Sequence, residues 1–131
     1  MDLIRPATMD DVLRIVAMVE ALRSAVSGPV PVDRTQTAAT VARLIGDPDG
    51  AVFVSRGGFI AGALVPTIIN PARIAQELGW FAKDGSGLRL LRAFEAWAST
   101  RGATLVQLST SPDGPDLSRL GYRRAELSWV K

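Results

Sequence analysis

Hydrophobic and polar positions change their period several times along the chain, and each change predicts an element. Val12, Ile15, Val16, Val19, Leu22 and Val26 recur at helical spacing. Thr8 can cap that helix, and Asp10 and Asp11 suit its first turn. Gly28-Pro29-Val30-Pro31 ends it as a loop. A second helix starts at Asp33 or Thr35, with Ala38, Val41, Ala42, Leu44 and Ile45 as its apolar positions, and stops at Gly46-Asp47-Pro48-Asp49-Gly50. The pattern then shortens to strands: Ala51–Ser55, a hairpin turn at Arg56-Gly57-Gly58, and the returning Phe59–Val65. Ile74–Ala82 is a further strand that runs into a short glycine loop. A third helix from about Gly87 to Arg101 carries Leu90, Leu91, Phe94, Trp97 and Ala98 on one stripe, and Gly102 ends it. Thr104–Ser109 reads as a buried strand, Asp116–Leu120 as a short helix closed by Gly121, and Tyr122–Val130 as a last strand. At the start, Leu3-Ile4-Arg5 is a short strand stopped by Pro6.

The predicted order is β-α-α-β-β-β-α-β-α-β, an α/β (α+β) chain with a mixed sheet flanked by helices, expected to form one domain over residues 1–131. The strand-helix-strand unit from Ile74 to Ser109 implies a parallel pair with a right-handed crossover. Trp97 falls on a helix stripe and belongs to the core. Trp80 and Phe81 point to opposite faces of their strand, so at most one can line a cleft. Trp129 alternates with Leu127 and fits either core or interface.

Composition narrows the chemistry. A hydrophobic fraction of 47% can fill a core, and 21% charged residues with a net charge of +2 fit a globular protein. With no cysteine and no histidine, disulfides, thiolate nucleophiles, Cys/His metal sites and Ser-His-Asp triads are excluded. A general base must be Asp, Glu, Lys, Tyr or a water relay. No apolar run approaches the ~18–20 residues of a membrane span, and the N-terminus lacks a signal-peptide pattern, so a soluble cytoplasmic protein is expected. Arg89, Arg92 and Arg101 share one helix, which fits a solvated face or an anionic ligand; the arginines are otherwise scattered, and nucleic acid is not an expected partner.

The segment from Glu77 to Leu91 holds the main candidate site. A strand, a loop Lys83-Asp84-Gly85-Ser86 and a helix opening at Gly87 aim backbone N–H groups and a helix N-terminus at one point, which suits a phosphate or pyrophosphate. Glu77 lies upstream on the same strand. It reads as a substrate-binding or merely exposed strand carboxylate. Gly79, mid-strand, marks a bulge or a close backbone approach.

These residues, in this order, resemble the GNAT superfamily of acyl-CoA-dependent N-acyltransferases over nearly the whole chain. The opening Ile4-Arg5-Pro6-Ala7-Thr8 with Asp10-Asp11, the loop and helix Gly85-Ser86-Gly87-Leu88-Arg89-Leu90-Leu91, and Leu120-Gly121-Tyr122 carry the resemblance. Together with Glu77-Leu78-Gly79-Trp80-Phe81 they are similar to small phage-encoded members in particular. The resemblance implies a twisted mixed sheet whose fourth and fifth strands splay apart, here Ile74–Ala82 and Thr104–Ser109. It implies acetyl-CoA as cosubstrate, with no metal, and an amine acceptor. Glu77 would be the base. Trp80, Phe81 and Ala82 would offer a strand edge to pantetheine, and Lys83, Gly85, Ser86, Gly87, Leu88 and Arg89 would hold the pyrophosphate, Ser86 through its hydroxyl.

The chain departs from the family pattern in two places. The Arg or Gln expected three residues before Gly85 is Ala82; aligned otherwise, the expected Arg is Asp84, a carboxylate facing the pyrophosphate and opposing it by like charge. The Tyr that would protonate the leaving thiolate is Leu117, with Ser111 and Ser118 nearby, while the only Tyr, Tyr122, sits where packing is its expected role. The alternative reading is a GNAT-fold protein without catalysis, a structural or interaction module associated with a phage particle. Acceptor choice would rest on Ser27–Thr35 and Ser109–Asp116, which carry no decisive charge pattern, and a homodimer through the last strand is open.

Overall fold

The computed structural model describes every residue except Met1, Asp2 and Ser27. Its elements are β1 (Arg5–Pro6), α1 (Val12–Val26), α2 (Arg34–Gly46), β2 (Gly50–Val54), β3 (Gly58–Pro66), β4 (Arg73–Ala82), α3 (Gly87–Thr100) and β5 (Val106–Gln107), with single 3-10 turns at Met9–Asp11 and Ser118–Leu120. They form one sheet in the order β1-β2-β3-β4-β5, antiparallel except for the parallel pair β4–β5 that α3 connects. This is the mixed, helix-flanked sheet that the sequence predicts.

The strand alternation divides the apolar residues between two cores. Val52, Val54, Phe59 and Ala61 pack against Ile15 and Met18 of α1 and Val41 and Leu44 of α2. Ala51, Ile60, Leu64 and Ala75 pack against Leu90, Leu91, Phe94 and Ala98 of α3. β3 lies mid-sheet with helices over both faces, which is why Phe59–Ala63 reads as an unbroken apolar run. The two ends of α2 follow local rules. The Asp33 side chain accepts the N–H of Gln36 at 3.0 Å and caps the N-terminus, and the chain leaves the helix at Asp47. Asp11, although buried, is satisfied: it accepts from Arg5, Arg14 and the N–H of Thr8, and the Arg5 guanidinium holds its carboxyl far below the usual range.

Three expectations need correction. The first strand is Arg5–Pro6 rather than Leu3–Arg5; Pro6 is tolerated because β1 is an edge strand paired only with β2. The helix expected at Asp116–Leu120 is a 3-10 turn, closed as expected by Gly121 at a φ of 90°. Residues 122–131 form no strand. One bond ties them to β5, the Gln107 amide donating to Glu126 at 2.8 Å, but β5 is only two residues long and offers too little edge for a ladder. Trp129 is 87% exposed, so the core reading of that residue does not hold. Among the described residues no helix is long and apolar enough to cross a membrane.

Candidate active site

Two features of β4 make the site. The first is a bulge. Ala61 pairs with Gly79 but Gly62 pairs with Glu77, so Leu78 is the extra residue, and it turns outward with 54% exposure. Gly79 stands beside the bulge and also serves close packing: a Cβ there would lie 3.0 Å from Cε2 of Phe59. Both readings of this glycine therefore hold. The second feature is the parting of β4 from β5. The two strands pair only at Ala75↔Val106 and Gln76↔Gln107. Beyond Gln76, β4 continues for six residues to Ala82, paired with β3; among the described residues no strand pairs its other edge.

Glu77 stands where the strands part. Its carboxylate accepts the N–H of Ser109 at 3.0 Å, so it spans the opening as it begins. The side chain is 8% exposed. Burial pushes its pKa upward, and the Ser109 N–H offsets that only in part. A carboxylate raised toward neutrality accepts a proton better than an ordinary one. The partner Ser109 carries no sequence signal, because it lies 32 residues away and only the crossover brings it back.

The glycine loop stands at the far end of this edge. Ala82 is five residues beyond Glu77, about 16 Å along a strand rising ~3.3 Å per residue. The loop is fastened to the β2–β3 turn. Lys83 N–H donates to Gly57 O at 3.0 Å, and the Asp84 carboxylate accepts from Gly57 N–H at 2.8 Å, Ser55 Oγ at 3.0 Å, Ser86 N–H at 3.1 Å and Ser86 Oγ. The Ser55 and Ser86 hydroxyls also meet each other at 2.7 Å, and both residues are buried.

This network corrects two expectations. The Asp84 carboxylate, half-exposed, is drawn back onto the β2–β3 turn rather than free to face an anion, because two buried hydroxyls and two N–H groups need an acceptor. Ser86 spends its hydroxyl on the same network and does not offer it to a ligand. The outward surface is left to Gly85, with a φ of 79° and nothing within 4 Å of an added Cβ, and to the first turn of α3. The first intrahelical bond runs from Leu90 N–H to Ser86 O, so the N–H groups of the opening turn precede the ladder. Trp80 braces this turn by donating from Nε1 to Gly87 O at 3.0 Å. Trp80 packs with the α3 core and Phe81 with the α1/α2 core, so what they present to the open side of β4 is backbone.

Asp84→Ala should cost ~1–3 kcal/mol in denaturant unfolding, because it strips the acceptor from two buried hydroxyls and the Gly57 N–H. The same network holds the Asp84 carboxyl well below its usual range, with the Ser86 hydroxyl the largest cause. Its contribution is therefore present above the ordinary carboxylate pKa and lost as pH falls through the depressed one. An Asp84→Ala protein matching the wild type in stability at pH 7 would show that the network is idle.

Away from this line, the Tyr122 hydroxyl donates to Glu95 of α3 at 2.6 Å and the ring packs on the α3 core, in keeping with a packing role; burial pushes its phenol pKa far up. Trp97 lies against Phe94 with ring centroids 5.6 Å apart, as its stripe predicts. Arg92 pairs with Glu95, which accounts for one of the three helix arginines.

No protein-family model and no curated protein matches the sequence. Solved structures do match. A predicted acetyltransferase from Clostridium acetobutylicum, solved with acetyl-CoA, superposes with a TM-score of 0.81 at 16% identity, covering 100% of this chain and 95% of that one. A transcriptional regulator from Bacillus halodurans gives 0.79 at 20% identity, covering 100% and 99%. A GCN5-related N-acetyltransferase from Ralstonia eutropha gives 0.76 at 18% identity, again covering 100% and 99%. Matches spanning the whole chain, with the open β4 edge and the helix N-terminus already in view, lead to one conclusion: this chain has the fold of the GNAT acetyltransferases.

Proposed function

We propose that the chain is an acyl-CoA-dependent N-acyltransferase that moves an acetyl group from acetyl-CoA to a primary amine. The observation that carries this reading is the single line on β4: a buried carboxylate where β4 and β5 part, an unpaired strand edge, and a glycine turn with a helix N-terminus at its end. A pyrophosphate suits the turn from Lys83 to Arg89, where N–H groups and the helix dipole favour negative charge. Pantetheine amides suit the edge at Trp80, Phe81 and Ala82, as an added strand would.

The acceptor amine transfers a proton to Glu77, directly or through a water, and its nitrogen attacks the thioester carbonyl. An N–H of Gly79 or Trp80 holds the developing oxyanion. The C–N bond forms, the C–S bond breaks, and CoA leaves as thiolate and takes a proton from water. Leu117 replaces the expected acid, and a CoA thiolate is a good enough leaving group to depart without one. Without cysteine, transfer is direct, in a ternary complex.

Acetyl-CoA should raise the melting temperature, since a ligand that binds only the native state stabilises it by about 2.7 kcal/mol at a hundred times its Kd. No shift at millimolar acetyl-CoA would sink this reading. A second reading, an interaction module without catalysis, is favoured by Ala82, which stands three residues before Gly85 where an Arg or Gln was expected. The Asp84 hydrogen bonds weaken it, because they draw the carboxylate back onto the β2–β3 turn and spread its charge over the donors there.

A further inference from the structure

Arg14 of α1 reaches across to the turn between β2 and β3. Its Nη1 donates to the carbonyl oxygens of Ser55 at 2.9 Å and Arg56 at 3.1 Å, residues 41 and 42 positions further along the chain. Its Nη2 donates to Asp11 at 3.2 Å, and Asp11 is itself fixed by two bonds from Arg5, at 2.8 and 2.9 Å, and by the N–H of Thr8 at 2.8 Å. The carbonyl of Arg56 and the N–H of Gly57 belong to one peptide group, and that N–H donates to Asp84 at 2.8 Å. A cation on the oxygen and a carboxylate on the N–H polarise this amide in the same sense, so each bond strengthens the other. Gly57 also lets the glycine loop close in: an added Cβ would lie 3.1 Å from Cβ of Asp84 and 3.3 Å from Cγ of Lys83.

We propose that Arg14 is a positioning residue for the glycine turn: from α1 it holds the peptide on which Asp84 hangs, and so sets where the N–H groups of the turn stand for an incoming pyrophosphate. The inference rests on the acetyl-transfer reading and adds a residue that nothing in the loop's own sequence marks. Donors to an anion act best when they are in place before it arrives, and a turn left to order on binding weakens affinity by the cost of ordering it. An Arg is required rather than a Lys. One planar fork meets the turn through Nη1 and Asp11 through Nη2 at once, whereas an ammonium on a flexible stem is a single point charge. The Arg14 side chain is 38% exposed, and Asp11 keeps Arg5 and Thr8 without it, so its removal leaves the core intact.

The test is the Kd for acetyl-CoA by calorimetry, beside the indole N–H signal of Trp80 in the NMR spectrum of the ligand-free protein. Trp80 donates to Gly87 O at the start of α3, so its signal reports the turn itself. Arg14→Met should raise the Kd at least fivefold and move the Trp80 signal, with the Trp97 signal of the α3 core unmoved. Arg14→Lys should stay at least fivefold weaker than the wild type. Arg5→Met strips the same Asp11 without touching the turn and should bind within twofold of the wild type. Gly57→Val pushes Lys83 and Asp84 off the turn with Arg14 in place; it should reproduce the loss, so the proposal stays open to refutation if Arg14→Met does not fold. A Kd changed less than fivefold in folded Arg14→Met or in Gly57→Val overturns the proposal. So does full binding in Arg14→Lys, which would make charge alone the cause, and so does an equal loss in Arg5→Met. If the wild type binds no acetyl-CoA, the acetyl-transfer reading falls. An unmoved Trp80 signal in Arg14→Met then overturns the positioning role as well, and a moved one keeps Arg14 as the residue that seats the turn.

Discussion

Substituting Asp for Gly87 should abolish acetyl-CoA binding and leave the fold intact. An added Cβ at Gly87 meets Ala82 at 3.7 Å and Trp80 Nε1 at 3.9 Å, both ordinary contacts, so the position has room. It is the first residue of α3, where a carboxylate is favoured by the helix dipole. The new charge would nevertheless stand at the turn that the proposed function assigns to a pyrophosphate, and like charges at ~4 Å repel strongly in a partly buried site. The measurement is the acetyl-CoA thermal shift: the variant should melt close to the wild type without ligand and show no shift with it. A retained shift would move the pyrophosphate away from the start of α3.

Glu77→Gln should lower kcat by about 10²–10⁴-fold, the usual contribution of a positioned general base, with acetyl-CoA binding unchanged. Two further readouts separate this role from a structural one. In the wild type kcat should rise with pH through the elevated Glu77 pKa; the variant should lose that limb. Stability should move the other way. A carboxyl whose folded pKa is raised contributes stability that is present below its unfolded pKa and lost as pH rises through the folded one. At pH 7 the buried charge is a burden that Gln does not carry, and Gln Oε1 can still accept from Ser109 N–H. The variant should therefore be at least as stable as the wild type at pH 7, and the difference should vanish in acid. Full turnover in Glu77→Gln would remove the residue from catalysis.

The helices were legible because their signals are local. The stripe from Val12 to Val26, the Asp33 cap and the Gly102 stop depend on neighbours within a turn or two, and the elements form with those bounds to within a few residues. The loop from Lys83 to Ser86 and its helix were legible for the same reason. The hydrogen bonding of Asp84 to the β2–β3 turn was not. Its partners Ser55 and Gly57 lie 29 and 27 residues upstream, and nothing near Asp84 in the chain distinguishes a bonded acceptor from a free charge. The last strand was misread because alternation from Tyr122 to Val130 reports what a segment suits, whereas pairing requires an edge, and β5 has only two residues.

By itself, the sequence determined the element order as far as β5, the parallel crossover, the absence of thiol and imidazole chemistry, and a glycine turn at a helix N-terminus. All of these depend on residue type and short-range spacing. Only the tertiary structure decided that Glu77 is buried against Ser109, that Asp84 ties the glycine loop to the β2–β3 turn, that the extra residue of the bulge is Leu78, and that an uncharged cavity backs onto it. The physical reason is common to the four. Each depends on which distant segments the sheet register brings together, and a register is set by the packing of both faces at once.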